Sequence, residues 1–516
     1  MITKRLKQTA KKIVARLPFG AQKRINLLWY YLHNLGNKKP LTRLFEAGCS
    51  EISLEAKKLR IVGFLKVYNE ASSGNLERVL RHMKKFCDEI VVCDCESTDG
   101  STEIARKFTR HVLSEPNEFS RELFTKQKML EYALSLDPDW IVWLDADEVF
   151  ERNGEISEVR NLCVYGDKNG IDGFSMREIN LWKSTRRYRA DEFWGKGDFV
   201  RLWKNNGKLR FETADGLHKD QHPQGLANIV KSELKVIHYG FSSEEEIDKK
   251  YERYRKNGQS GFYLERMKNE DGIKLLPLDV DLIPLSALRI AVVALIYKSV
   301  PYIKFVLDSF NKHTSGAEFV FVANDATDRV KDYLKENNIS HLIFENEDKN
   351  EYYLNRVYRA WNYGGMNAPG DVIVFVNSDM AFSDGWLDNL LKWLRKDRIV
   401  CSRLVESGKM PSGTYGISKN FGHTYKEYDD EQFQKFAEKT SKPELREGGL
   451  FMPCAIYKDS FVKSGGYPIG NRKTADGKEI SGDHIFFYET LKPMGISHFT
   501  AFDSIVYHIQ EGEMDE

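Results

Sequence analysis

The sequence predicts an α/β protein of two tandem units, each a mostly parallel sheet with crossover helices, behind a basic helical N-terminal extension. Three observations carry this. From Leu59 onward, apolar runs of strand length alternate with segments of helical periodicity. The same order begins again at Leu288, and 516 residues exceed what one hydrophobic core usually supports. The expected boundaries are 1–57 for the extension, 58–270 for the first unit, 271–287 for a linker and 288–516 for the second unit.

In the first unit LRIVGFLKV reads as strand one, followed by a helix around Leu76 to Phe86. EIVVCD is the second strand, Ser101 to Phe108 a helix, RELFTKQKMLEYAL a longer helix, and DWIVWLDADEVF a further strand. The second unit repeats this with RIAVVALIY, a helix near Tyr302 to Phe310, EFVFVAND, a helix near Arg329 to Glu336, and DVIVFVNSDM. Between them EEEIDKKYERYRKNG reads as a closing helix, and GIKLLPLDVDLIPLS, with Pro277 and Pro284, as the linker.

Composition sets limits on function. Hydrophobic residues at 41% and charged residues at 30% fit a soluble globular protein. With 77 basic against 76 acidic residues, neutralising nucleic-acid phosphates is not the main role, although nucleic acid stays open as an acceptor. The balance is uneven: Met1 to Phe45 contains no Asp or Glu, and Lys12 to Gly36 mixes basic residues with Leu27, Leu28, Trp29, Tyr30, Tyr31 and Leu32. That pattern suits an amphipathic helix on an anionic membrane through residues 1–45, or a surface helix packed on the first unit. Seven scattered cysteines give neither a disulfide framework nor a zinc spacing. No run reaches a membrane-spanning length and no signal-peptide core is present. The expected location is cytoplasmic, with peripheral contact at the inner face of the cell membrane.

In open parallel sheets ligands bind beyond the carboxyl ends of the strands, so polar residues after apolar runs are the first candidates. In the first unit these are Asn69 and Glu70, Asp94 with the turn containing Asp99, and Asp145-Ala146-Asp147. Alternation along an extended chain puts Asp145 and Asp147 on one side, where they can share Mg²⁺ or Mn²⁺ and through it a diphosphate. An isolated D-x-D pair is more often simply solvated.

VVCDCESTDGST resembles the second-strand motif of family 2 glycosyltransferases, and FLKVYNEAS resembles the family's strand-one ending. The resemblance implies two GT-A folds, Rossmann-like and mostly parallel. It implies that Asp94 contacts the nucleotide base and that Asp145 and Asp147 hold diphosphate and metal. FVRLWKN, TADGLHK and VIHYGFSSEEEIDKKYERY resemble the bacterial lipopolysaccharide and capsule branch, which makes His238 a metal or phosphate ligand. Lys219 stands where that branch commonly has Glu, leaving His218, Asp215 and Asp220 as acid/base candidates. Trp194 and Trp203 read as core aromatics rather than sugar platforms.

In the second unit IVFVNSDMAFSDGWLDNLL resembles the family's Asn-x-Asp variant, implying Asp379 as metal ligand with Asn377 beside it. The resemblance lets the base contact fall on either Asn324 or Asp325. GGLFMPCAIYKDSFVKSGGYP resembles the acceptor-side segment, SGDHIFFYETLKPMG the motif that supplies the catalytic base, here Asp483, and VYHIQEGE supplies His508 for metal or diphosphate. As a plain structural residue Asp483 would be a helix N-cap.

The implied activity is a metal-dependent, inverting transfer of sugar from a nucleotide sugar, a UDP-sugar first, to a glycan or lipid-linked glycan, with Mn²⁺ or Mg²⁺ as cofactor. Two alternatives stand beside two active units. One unit could be a binding or scaffolding module. A nucleotidyltransferase that makes sugar nucleotides would show a Gly-rich loop after strand one, which Val67 to Gly74 lacks. P-loop, HExxH and GxSxG motifs are absent.

Overall fold

A computed structural model describes residues 52–191, 194–195, 197–212, 222–258, 261–269, 271–410 and 412–511. The basic arm 1–45, with its expected membrane helix, and the candidates Asp215, His218 and Asp220 lie outside these residues. The chain divides into two compact units between Ser286 and Ala287.

The first unit is built on β1 (Ile61–Val67), β2 (Glu89–Asp94), β3 (His111–Ser114), β4 (Trp140–Trp143), β5 (Glu148–Phe150), β6 (Gly173–Asn180), β7 (Asp198–Lys204) and β8 (Ile229–His238). They form one sheet in the order β3-β2-β1-β4-β7-β6-β8-β5. β3, β2, β1 and β4 are mutually parallel, and β7 enters antiparallel. β1 is apolar almost throughout because helices cover both faces of such a sheet.

The second unit contains β9 (Ile290–Ile296), β10 (Glu318–Asn324), β11 (His341–Phe344), β12 (Val372–Val376), β13 (Met380–Phe382), β14 (Arg398–Glu406), β15 (Cys454–Tyr457) and β16 (Ser497–His508). Their order is β11-β10-β9-β12-β15-β14-β16-β13, with Ile417–Ser418 and Leu445–Glu447 added at the side. Each strand thus has its counterpart eight labels earlier. The helix Tyr353–Asn367 lies close on this sheet, since a Cβ at Gly364 would overlap Val293 and Val322, and one at Gly365 would overlap Phe375 and Phe461.

The expected helices appear at Asn75–Met83, Ser101–Phe108, Glu122–Ser135, Val300–His313, Asp328–Glu336 and Glu244–Lys256. Two expectations change. DWIVWLDADEVF is not one strand: β4 stops at Trp143, a turn spans Ala146 and Asp147, and β5 starts at Glu148 to pair with β8. DVIVFVNSDM divides in the same way between β12 and β13. The segment read as a linker is folded onto the first unit. Leu275–Pro277 pairs with Arg187–Arg189, Arg152 Nε donates to the Ile283 carbonyl at 3.0 Å, and the Ser286 N–H donates to Glu155. Its apolar residues Leu278 and Ile283 are buried, which offsets the entropy of ordering it.

Candidate functional site

The carboxyl ends of β1 and β2 are tied by short polar side chains that satisfy loop N–H groups. The Asn69 N–H donates to Ser97 Oγ at 2.9 Å, and the Thr98 N–H returns a bond to Asn69 Oδ1 at 2.8 Å. The Glu70 N–H donates to Ser101 Oγ, the Ala71 N–H to Asp99 Oδ2, and the Ser101 hydroxyl to Asp99 Oδ1. Burial works against the Asp99 charge, but these donors outweigh it and hold the carboxyl below its ordinary range. Asp94 accepts from the Thr102 hydroxyl at 2.6 Å and the Ser97 N–H at 3.3 Å. Asn69 and Glu96 both sit at positive φ, +52° and +59°, a cost borne where the chain leaves the sheet. Asn69, Glu70, Asp94 and Asp99 therefore form one loop cluster.

Asp145 and Asp147 do not act as the pair that alternation implied. The turn after β4 breaks the alternation, and the two side chains have different partners. Asp145, half exposed, accepts from Trp143 Nε1 at 3.1 Å and from Arg201 Nη2 at 3.3 Å. The buried Arg201 also grips the buried Glu148. Burial opposes the Arg201 charge, and the carboxylates around it, Glu148 first, together outweigh that burial, while burial raises Glu148 itself.

Asp147 is buried against β8 and the helix Glu244–Lys256. Its Oδ2 lies 2.7 Å from Lys250 Nζ and 3.2 Å from His238 Nε2, and Lys250 Nζ lies 2.9 Å from the same imidazole nitrogen. His238 Nδ1 meets Asn180 Oδ1 at 2.7 Å. Because a carbonyl oxygen only accepts, that nitrogen carries the proton and Nε2 presents a lone pair to the ammonium. Burial alone would push Asp147 up; the Lys250 ammonium, foremost among its neighbours, holds it well below the usual carboxylate range. Burial likewise lowers Lys250, and Asp147 reverses this and keeps it charged. Glu70 is raised, first by burial and then by the Asp147 charge.

Strand register aligns the second unit residue by residue. Phe64 faces Val91 and Trp143, and Val293 faces Val320 and Phe375, so Trp143 corresponds to Phe375 and Asp147 to Asp379. Glu148 opposite His238 corresponds to Met380 opposite His508, and Asn180 to Glu406. Asp379 Oδ1 lies 3.2 Å from His508 Nε2, and Glu406 Oε1 lies 3.6 Å from His508 Nδ1. Burial lowers the imidazole, but Asp379 and Glu406 overcome this and raise it to about 9. Glu406 is held below its ordinary value, burial being outweighed by His508, Ser412 and Gln510.

Of the other second-unit candidates, Asn377 donates its N–H to Met380 Sδ at 3.4 Å. The register places Ala323, not Asn324 or Asp325, at the position of Asp94. Asp325, at φ +48°, accepts from both the N–H and the side-chain amide of Asn346 and pairs with Arg356 at 3.2 Å. The Asn346 amide also reaches Asn324 Oδ1. Asp483 is not the N-cap of its helix, because Ser481 Oγ accepts from the His484 N–H. Asp483 Oδ2 instead accepts from the Tyr358 hydroxyl at 3.2 Å, and burial pushes its carboxyl up to about 6 against that hydrogen bond.

Metal fit differs between the units. In the second, Asp379 and His508 offer an oxygen and an imidazole nitrogen suited to Mn²⁺, and Glu406 stands behind the imidazole as carboxylates do behind metal-ligating histidines. His508 Nδ1 and Glu406 Oε2 are buried without a hydrogen bond, and two carboxylates against one imidazole leave negative charge for a cation to balance. No group of three or more His, Cys, Asp or Glu arranged for a metal occurs among the described residues, so further ligands would come from a bound diphosphate. In the first unit the acid and the imidazole hold an ammonium instead, and the metal role expected of Asp147 and His238 does not fit.

Lys250, Asn180, Glu406, Arg201 and Tyr358 escaped the sequence reading. Lys250 lies in a run of alternating charges that looks solvent-facing throughout; only the fold buries it. Trp194 and Trp203 are buried as expected, against Phe241 and Phe64 respectively. The six described cysteines are buried and unpaired.

Acid clusters at the carboxyl ends of two like-ordered α/β sheets define tandem folds of the GT-A class. The model of the family "Glycosyl transferase family 2" matches residues 64–222 and 291–463, and the chain belongs to that family. A search of curated proteins finds no match. Among solved structures the chain is similar to GalNAc-T7 with UDP, GalNAc and Mn²⁺, at 15% identity over 43% of this chain and 44% of that one, TM-score 0.30. It is similar to the mannosyltransferase PcManGT from Pyrobaculum calidifontis with GDP-Man and Mn²⁺, at 16% identity over 44% and 58%, TM-score 0.28. It is also similar to S. aureus TarS 1-349, at 14% identity over 43% and 60%, TM-score 0.29. The matches thus span about half the length of those chains.

Proposed function

We propose that the chain is a nucleotide-sugar-dependent glycosyltransferase whose second unit carries out an inverting, metal-assisted transfer to a hydroxyl of a glycan or lipid-linked glycan. The observation that carries the reading is Asp483: a carboxylate buried enough to be raised to about 6, and held in one orientation by Tyr358. A base of that strength is ionised at neutral pH yet basic enough to take a proton as the hydroxyl attacks. Asp483 removes that proton at Oδ; Tyr358 Oη fixes the carboxylate by donating to Oδ2 and accepting from the Asp483 N–H. Asp379 and His508 would hold Mn²⁺ or Mg²⁺, which when bound neutralises charge on the departing nucleoside diphosphate. Glu406 orients His508 for that role. A UDP-sugar is the first donor to try, following the family resemblance.

The test is sugar transfer followed by mass spectrometry over a panel of nucleotide sugars. Asp483→Asn should lower transfer by about 10²–10⁴-fold with an unchanged circular dichroism spectrum. Unaltered product formation in Asp483→Asn and Asp379→Ala would remove the second unit from catalysis.

A further inference from the structure

We propose that in the first unit the side-chain ammonium of Lys250 stands in for the divalent cation, so that this unit binds a nucleoside diphosphate without metal. The proposal rests on the glycosyltransferase reading for its ligand class and on the geometry of this unit for its cation. Lys250 Nζ lies 2.7 Å from Asp147 Oδ2 and 2.9 Å from His238 Nε2, between the two groups whose second-unit counterparts are Asp379 and His508. All three residues of the first-unit group are buried.

Three further features agree. A Cβ at Gly240 would overlap Lys250 Nζ, Asp147 Oδ2 and His238 Nε2, so the backbone packs directly against the trio. The aligned position in the second unit, two residues beyond His508, is Gln510, which carries a side chain. The partner behind the imidazole is Asn180 rather than a carboxylate, so the first-unit group holds one acid where the second holds two. One ammonium already balances Asp147. An ammonium has three N–H donors, two of which are used by Asp147 and His238, and the third can meet a phosphate oxygen. The nearby loop of Asn69, Asp94 and Asp99 is the place for the nucleoside, at the ends of β1 and β2.

The experiment counts Mn²⁺ by electron paramagnetic resonance on the full chain and measures UDP and GDP binding by calorimetry, with and without EDTA. Asp379→Ala keeps the first unit intact. It should bind no Mn²⁺ yet bind a nucleoside diphosphate equally with and without EDTA. Adding Lys250→Met to that variant should weaken nucleotide binding at least tenfold, and adding Lys250→Ala should restore one Mn²⁺ held by Asp147 and His238. A Mn²⁺ that persists in Asp379→Ala and disappears on adding Asp147→Asn overturns the proposal, as does EDTA-sensitive nucleotide binding in Asp379→Ala. Absence of both nucleotides from that variant overturns the diphosphate part, while the Mn²⁺ count still decides the cation. Transfer activity that survives Asp379→Ala and Asp483→Asn removes the second unit from catalysis without touching either readout.

Discussion

The first unit fills the centre of its strand-end site with its own charges, whereas the second surrounds an imidazole with carboxylates. Strand order and register are the same in both, so the difference lies in a few aligned side chains: Asn180 against Glu406, Glu148 against Met380, and Arg201 against Cys454. Lys250 then adds a cation to the first unit from a helix that follows β8. A sheet of this kind fixes where strand-end residues stand but not what charge they present. A few such changes, together with Lys250 from the following helix, give the first unit a cation of its own where the second presents two carboxylates to an imidazole.

The largest expected effect concerns Arg201 and Glu148. Removing only the arginine leaves a buried carboxylate without its partner, and Arg201→Met should cost about 3–5 kcal/mol of stability, read as a shifted urea midpoint. The second unit shows the apolar solution at the same positions, so the double change Arg201→Cys and Glu148→Met should recover most of that loss. If the single and double variants are equally unstable, the pair is not what separates the two cores.

Glu406 gives the next effect. Glu406→Asn writes the first unit's residue into the second and should weaken Mn²⁺ binding about 10–100-fold, since the carboxylate behind a ligating imidazole raises its basicity and fixes its orientation. An unchanged affinity would mean that Glu406 serves only the packing around Gln510, whose amide donates to it at 3.2 Å.

How far the sequence alone could reach is clear from these residues. β1, β2, β4 and their second-unit counterparts were legible because a strand covered on both faces must be apolar throughout, and Asp94, Asp145 with Asp147, and Asp379 stood out as the acids that follow such runs. The break between β4 and β5 was not legible. The apolar residues of β5 continue the pattern of β4, and only pairing with β8 reveals a separate strand. Glu406 ends a strand as many exposed glutamates do, and its burial depends on His508, a hundred residues away. Lys250 was hidden for the opposite reason, one buried ammonium among the charges of EEEIDKKYERYRK.

The smallest effect tests whether Asp483 is a tuned base or only a buried acid. With its carboxyl raised to about 6, the base is ionised above that pH and protonated below it. kcat/KM for transfer should therefore rise about tenfold per pH unit up to about 6 and then level off. The Tyr358 hydroxyl stabilises the ionised form by donating to Oδ2, and burial opposes it. Tyr358→Phe removes the donor and keeps the ring that packs on Tyr467, so the acid limb should move to higher pH by about 0.5–1 unit, the worth of one such hydrogen bond. A variant that lost activity equally at every pH would show Tyr358 to be a packing residue. An acid limb that stayed in place in both proteins would assign the titration to a group other than Asp483.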